Sequence, residues 1–311
     1  MNNKIYFPVL IIIAGLTLYY NMQAADATVS KPPQTHIEET ASVVTINSLA
    51  ALNTLFDKLD YHETTWKQES KVVPRISFKG IGDNWSTKSN QLPVNTKKSI
   101  FFRLITPLVL IANEQVIAER HIVKTAPLSS EKLLEIALKY RILDVKNKNK
   151  LLTEAQRVSL LARVDILPPS LAVAQAAEES GWGTSRFASK GNALFGQWDF
   201  SGNGMKPKQQ RKELGNYGVA RFDSPLASVE AYIFNINSNA AYLKLRVLRA
   251  ELRANNTPVT GTELAGTLDK YSERGEAYTE GLRQMIRFNK LETLDTLTLS
   301  KEKLIHLNTD G

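Results

Sequence analysis

The chain has 311 residues, with 39 Lys and Arg against 31 Asp and Glu, and no cysteine. Without thiols there is neither a disulfide framework nor a thiolate metal site. An apolar fraction of 43% with 23% charged residues excludes wholesale disorder, and the formal charge of +8 suits polyanionic partners. Nucleic acid, anionic lipid and an acidic cell wall are equal candidates on charge alone. His36, His62, His121 and His306 stand far apart in no metal-ligand spacing, so no metal or other cofactor is expected.

In chain order, Lys4 precedes an apolar run over residues 5–20, followed by Ala24-Ala25-Asp26-Ala27. A basic start, a short apolar core and small residues at an A-x-A site describe an export signal over residues 1–27. The run is short for a spanning helix of about 20 residues, although its flanking tyrosines also suit an uncleaved inner-membrane anchor. Either way the mature protein is expected in the periplasm or cell envelope. It would touch membrane only through this segment, and nucleic acid drops out as a partner.

Residues 28–126 form an N-terminal region that begins with a Ser/Thr/Pro-rich linker to about Ser42. Leu49, Leu52, Leu55, Phe56 and Leu59 predict a short helix, and residues 72–89 mix strand-like pieces with turns. A long helical pattern covers residues 93–123, where Pro107 predicts a kink or two helices. From 127 to 295 the pattern becomes regularly helical. Ser130 caps one predicted helix, and Thr153 with Gln156 forms a capping box for the next. Pro168 and Pro169 open a third, rich in alanine, which Gly181 closes. Residues 194–200 and 217–222 read as a small β excursion around Ser201-Gly202-Asn203-Gly204. Helices follow from Ser224-Pro225, over about 241–253, after the box at Thr260–Glu263, and over about 278–289. Residues 296–311 read as a C-terminal tail. The fold class is mainly α within α+β, lysozyme-like: a helical lobe, a small β lobe and a cleft between them.

Glu179 stands at the end of the alanine-rich helix. The partial negative charge of a helix C-terminus and the nearby Trp182 and Phe195 both disfavour an ionised carboxyl, raising its pKa towards the range of a general acid. Glu178, one residue earlier, is rotated by about a hundred degrees and should face solvent. From these residues alone Glu179 is either such an acid or a helix-end surface residue.

The string Gln175-Ala176-Ala177-Glu178-Glu179-Ser180-Gly181-Trp182-Gly183, with Asn192-Ala193-Leu194-Phe195-Gly196 after it, resembles the glucosaminidase domain of glycoside hydrolase family 73. The longer pattern from Pro168 through Ser185-Arg186-Phe187-Ala188 to Trp198, with Tyr271-Ser272-Glu273-Arg274-Gly275, is similar to the bacterial Bax family. This resemblance spans residues 129–290, more weakly 101–120. It implies an endo-β-N-acetylglucosaminidase that cuts peptidoglycan glycan strands after N-acetylglucosamine, with Glu179 as general acid. It also implies a cleft floor shaped by Trp182 and its glycines, and sugar-facing Tyr271 and Tyr278, each with a packed core aromatic as the other reading.

Phe195, Trp198 and Tyr217 join Trp182 as aromatic candidates for sugar stacking or ordinary packing. A second acid is expected in the β lobe, from Asp199, Glu213 or Asp223, with Glu213 the first choice; the substrate's own acetamido oxygen is the other route. The basic residues Lys206, Lys208, Arg211 and Lys212 suit either anionic wall polymers or a solvated loop. Two rival functions stay open, a lytic transglycosylase or muramidase and a catalytically weak wall-binding envelope protein.

Overall fold

The computed structural model describes residues 41–62, 71–82, 84–144, 151–208 and 217–308. The expected export segment, most of the linker, Glu213, Arg211 and Lys212 lie outside these residues. Among the described residues the fold is mainly helical with three small sheets.

The periodic segments become helices. The first is α1 (Leu49–Lys58), capped by Ser48. Two two- and three-residue strands, β2 (Val72–Val73) and β3 (Ile76–Phe78), then lead to the short α2 (Trp85–Ser89). The long pattern is one continuous helix, α3 (Val94–Thr125), rather than two, with Pro107 inside it. Pro107 removes one backbone bond, but buried residues on both sides of it, from Ile105 through Ala112, pack into the core and hold the helix line. By length and composition α3 resembles a membrane span, yet 78% of its apolar window is buried in the protein.

Next come α4 (Glu131–Lys139) and α5 (Glu154–Arg163), the latter opened by the Thr153–Gln156 capping box as expected. Ser130 takes the cap position of α4, but its side chain makes no capping bond. The alanine-rich α6 (Pro169–Ser180) packs on α3 and buries nearly its whole length, because small side chains let the two backbones approach. A short α7 (Arg186–Gly191), not evident in the sequence, precedes the antiparallel pair β4 (Trp198–Asp199) and β5 (Gly218–Val219). The expected strands over 194–200 and 217–222 thus shrink to two residues each. Four more helices complete the body: α8 (Pro225–Ser238), α9 (Leu243–Ala254), α10 (Gly261–Ala265) and α11 (Glu276–Phe288).

The segment expected as a tail contains two strands, β6 (Thr298–Leu299) and β7 (Ile305–Asn308). β7 lies between β1 (Ser42–Thr45) and β3 and is parallel to both, with Ser42 and Ile76 each opposite Ile305. One hydrophobic core runs from Leu52 to Leu307, continuous across residues 126 and 295. Phe187, Ala193, Met205 and Val219 form a separate small cluster beneath the β4–β5 hairpin.

Polar side chains fix the ends of the central helix. Asn113 of α3 holds the Leu167 backbone from both sides, donating to its carbonyl at 2.8 Å and accepting from its N–H at 3.2 Å. Asp295 accepts from the Ser170 N–H at 2.8 Å and the Ser170 hydroxyl at 2.7 Å, a carboxylate at the helix end where it is favourable. The N-terminus of α6 is therefore pinned by two elements distant in sequence.

Candidate active site

α6 ends on a tightly specified turn. Gly181, Trp182 and Gly183 all have left-handed backbones, with φ of 57°, 57° and 75°. Glycine adopts such angles freely, whereas a tryptophan does so at a cost of roughly 1–3 kcal/mol, and strain of this kind concentrates at functional sites. The Ser180 hydroxyl stitches the turn, donating to the Ala176 carbonyl at 2.6 Å and accepting from the Gly183 N–H at 2.8 Å. Trp85, from the N-terminal region, donates its indole N–H to the Trp182 carbonyl at 2.9 Å. A Cβ on Gly183 would stand 3.2 Å from that indole nitrogen. Nearby, Asn192 (φ 53°) accepts from the Ile81 N–H at 3.3 Å and donates to the Phe222 carbonyl at 3.1 Å. Ile81 and Trp85 thus brace the approach to the hairpin and the glycine turn.

Glu179 lies in the last turn of α6, partly exposed by surface area, with protein atoms crowding its carboxyl. Burial pushes its pKa from 4.5 up to about 7, the Tyr278 hydrogen bond works against the rise, and the neighbouring Glu178 charge adds to it. Glu178 is exposed as expected, and it takes the local cation: Arg274 contacts its Oε1 at 2.6 Å. Arg274 still lowers the Glu179 pKa from a distance, but its direct contact is with Glu178.

A directed chain of hydrogen bonds ends on this carboxyl. Tyr232 donates to Gln175 Oε1 at 2.5 Å, Gln175 Nε2 donates to the Tyr278 hydroxyl at 2.9 Å, and Tyr278 donates to Glu179 Oε1 at 2.8 Å. Each tyrosine has one proton, so the Gln175 amide decides the direction. Turned round, the amide would draw the Tyr278 proton away from Glu179. With Oε1 accepting, the proton of a neutral Glu179 sits on Oε2, the oxygen that faces Gly196: a Cβ there would lie 3.9 Å from it. Gly196 itself is left-handed, with φ of 61°.

Stacked rings support the chain from behind. Tyr271 and Tyr278 are parallel, 5.6 Å apart, and Phe195 stacks on Tyr232 at 3.9 Å. The Tyr271 hydroxyl donates to the Phe195 carbonyl at 3.1 Å, fixing the strand-side backbone next to Gly196.

This arrangement, a carboxyl at a helix end that keeps a proton up to about pH 7 and has one oxygen oriented by Tyr278, suits proton donation to a leaving oxygen. A protein-family profile described as mannosyl-glycoprotein endo-beta-N-acetylglucosaminidase matches residues 155–291. A protein named Protein bax from Escherichia coli strain K12 is 32% identical over 247 residues, covering 74% of this chain and 87% of the relative. The chain belongs to the Bax-like glucosaminidase-domain family. No solved structure matches. The glucosaminidase domain is that of a glycan-cleaving hydrolase family, and its matched span contains Glu179 and the whole hydrogen-bond chain.

Within this Bax-like domain the other sequence candidates separate by exposure. Phe195, Tyr217, Tyr271 and Tyr278 are buried, their rings against protein, whereas Trp182 and Trp198 keep open surface. Trp198 meets Tyr217 edge to face at 4.9 Å. Asp199 accepts from the Ser201 N–H at 2.7 Å, capping its own turn, and Asp223 is exposed before α8. Three members of the site went unread in the sequence: Gln175, Tyr232 and Trp85. Gln175 alone left a signal, an amide four residues before Glu179 on the same face of an alanine-rich helix.

Proposed function

We propose that the chain is a peptidoglycan hydrolase of the endo-β-N-acetylglucosaminidase type, exported to the cell envelope. The observation that supports it most is Glu179, its pKa raised to about 7 by burial and its Oε1 occupied by Tyr278. The Oε2 proton passes to the glycosidic oxygen as the C1–O bond of N-acetylglucosamine breaks. The other sugar leaves as an alcohol, and C1 becomes electron-poor. In one route the substrate's acetamido oxygen bonds to C1, and water later opens that ring with Glu179, now ionised, taking the proton. In the other, Glu213 supplies the second carboxylate. Glu213 is the first choice for its place in the β lobe, with Asp199, which caps its own turn, and Asp223 as the alternatives. Trp182 and Trp198, with open surface, are the proposed sugar contacts. Tyr278 and Tyr271 act from behind the carboxyl.

Digestion of purified peptidoglycan by the full chain, read by mass spectrometry, tests this. New N-acetylglucosamine reducing ends are expected. Anhydromuramic ends would instead indicate a transglycosylase, and tight binding to sacculi without released ends a wall-binding protein. Either result overturns the reading.

A further inference from the structure

α11 runs on past Tyr278 to a second feature. Trp182, three residues after Glu179, and Lys98 of α3 line a groove of about 310 Å³ with Gly281, Met285 and Phe288 of α11. Met285 and Phe288 lie seven and ten residues beyond Tyr278, about 10 and 15 Å along the helix. Trp182, which belongs to the turn that follows Glu179 and also lines the groove, links the two places.

Its chemistry is unusual for a protein surface. Lys98 Nζ sits between two ring faces, 5.3 Å from the Trp182 centroid and 5.2 Å from that of Phe288. Its hydrogen-bond acceptor is Asn289 Oδ1 at 3.4 Å, and among the described residues no carboxylate pairs with it. The nearby Glu280 is taken by Arg287 at 2.8 Å, and the first turn of α3 contains no acidic residue. Phe288 is 80% exposed, a large aromatic left in water at the groove's rim. A cation without a counter-ion, framed by flat apolar faces, is complementary to a sugar bearing a carboxylate.

We propose that this groove binds the glycan strand beyond the scissile bond, with sugar against Trp182 and Phe288 and a muramyl-borne carboxylate on Lys98. The proposal rests on reading the Glu179 site as glycan-cleaving. The carboxylate has two sources. On peptide-free strands it is the lactyl group itself, and on peptide-bearing strands the lactyl carboxyl is an amide, so the stem peptide's own carboxylates take its place.

Binding separates this from cleavage. The full chain carrying Glu179→Gln, with and without Lys98→Gln, is titrated calorimetrically with four probes. These are a peptide-free N-acetylglucosamine–N-acetylmuramic acid tetrasaccharide, the same with lactyl carboxyls reduced to alcohols, a peptide-bearing tetrasaccharide, and an N-acetylglucosamine tetramer. Lys98→Gln is expected to weaken carboxylate-bearing probes by about three- to tenfold, as for a partly exposed ion pair, and leave the tetramer unchanged. Loss on the peptide-free probe but not on its reduced form assigns the lactyl source, and loss on the peptide-bearing probe alone assigns the stem. Equal loss on all four probes, or none on any, overturns the proposal. If wild-type protein releases no sugar ends while binding depends on Lys98 in this way, the cleavage reading fails and the groove is left as a site for carboxylate-bearing glycan with no scissile bond beside it.

Discussion

The helix that presents Glu179 and the β4–β5 hairpin are held by very different means. α6 buries ten of its 12 residues, and distant side chains hold its first turn and the glycine turn that ends it. The hairpin pairs two residues with two, over a cluster of four buried side chains that is separate from that core. A proton donor must hold its oxygen at hydrogen-bond distance from the leaving group, about 2.6–3.2 Å, and a misplacement of about 1 Å is costly; the rigid side supplies that precision. The hairpin rests on fewer buried side chains.

Glu179→Gln tests the rigid side most severely. It removes the proton and keeps the shape, since the amide oxygen still accepts from Tyr278, and hydrolysis should fall by about a thousandfold in a reducing-end assay. Its effect on stability has a definite sign. A carboxyl at about 7 when folded, against 4.5 when free, stabilises the fold fully below pH 4.5 and progressively less as pH rises to 7. The loss is at most about 3 kcal/mol. The variant should therefore melt higher than wild type at pH 8 and alike at pH 4. Equal melting at pH 8 would mean Glu179 is not desolvated.

Tyr278→Phe is the subtler change on the same side. The ring still stacks on Tyr271, but the bond that lowers the Glu179 pKa is gone. The alkaline limb of kcat/KM, expected near pH 7 in wild type, should move up by about one unit, and turnover should fall about tenfold as the carboxyl loses its fixed orientation. An unmoved limb would remove Tyr278 from the acid's control.

On the hairpin the expected effect is smallest. A Cβ on Gly218 would lie 2.6 Å from the carbonyl carbon of Gly204, closer than real atoms approach. Gly218→Ala should splay the hairpin, raise KM several-fold and shift Tm by less than about 4 °C, because the main core is untouched. A collapse of Tm would mean that the two regions are not independent.

What the sequence reveals divides along the same line. Apart from α7, the helices of residues 130–290 are legible because apolar spacing, the Thr153 box and the left-handed Gly181 cap act locally. So is the opposition of Glu178 and Glu179, which needs only the turn of a helix. The chain Tyr232–Gln175–Tyr278 is not legible, since its members meet only after three helices pack. The β1–β7–β3 sheet escapes for a related reason: strands of three or four residues have too few side chains to show alternation, and Ser42 finds Ile305 across most of the chain. At Pro107 the alternative of two helices fails, because the local rule against helix continuity is overridden by burial on both sides.

The middle place of β7 also sets an order of events. β1 and β3 do not touch each other and share only β7, whose residues leave the ribosome after every helix described above. β3 leads directly into the segment that carries Trp85, the brace on the Trp182 turn. β3 also packs on α3 and α8, so the brace hangs on a strand held both by helices and by β7, and of these supports β7 is the last to be synthesised.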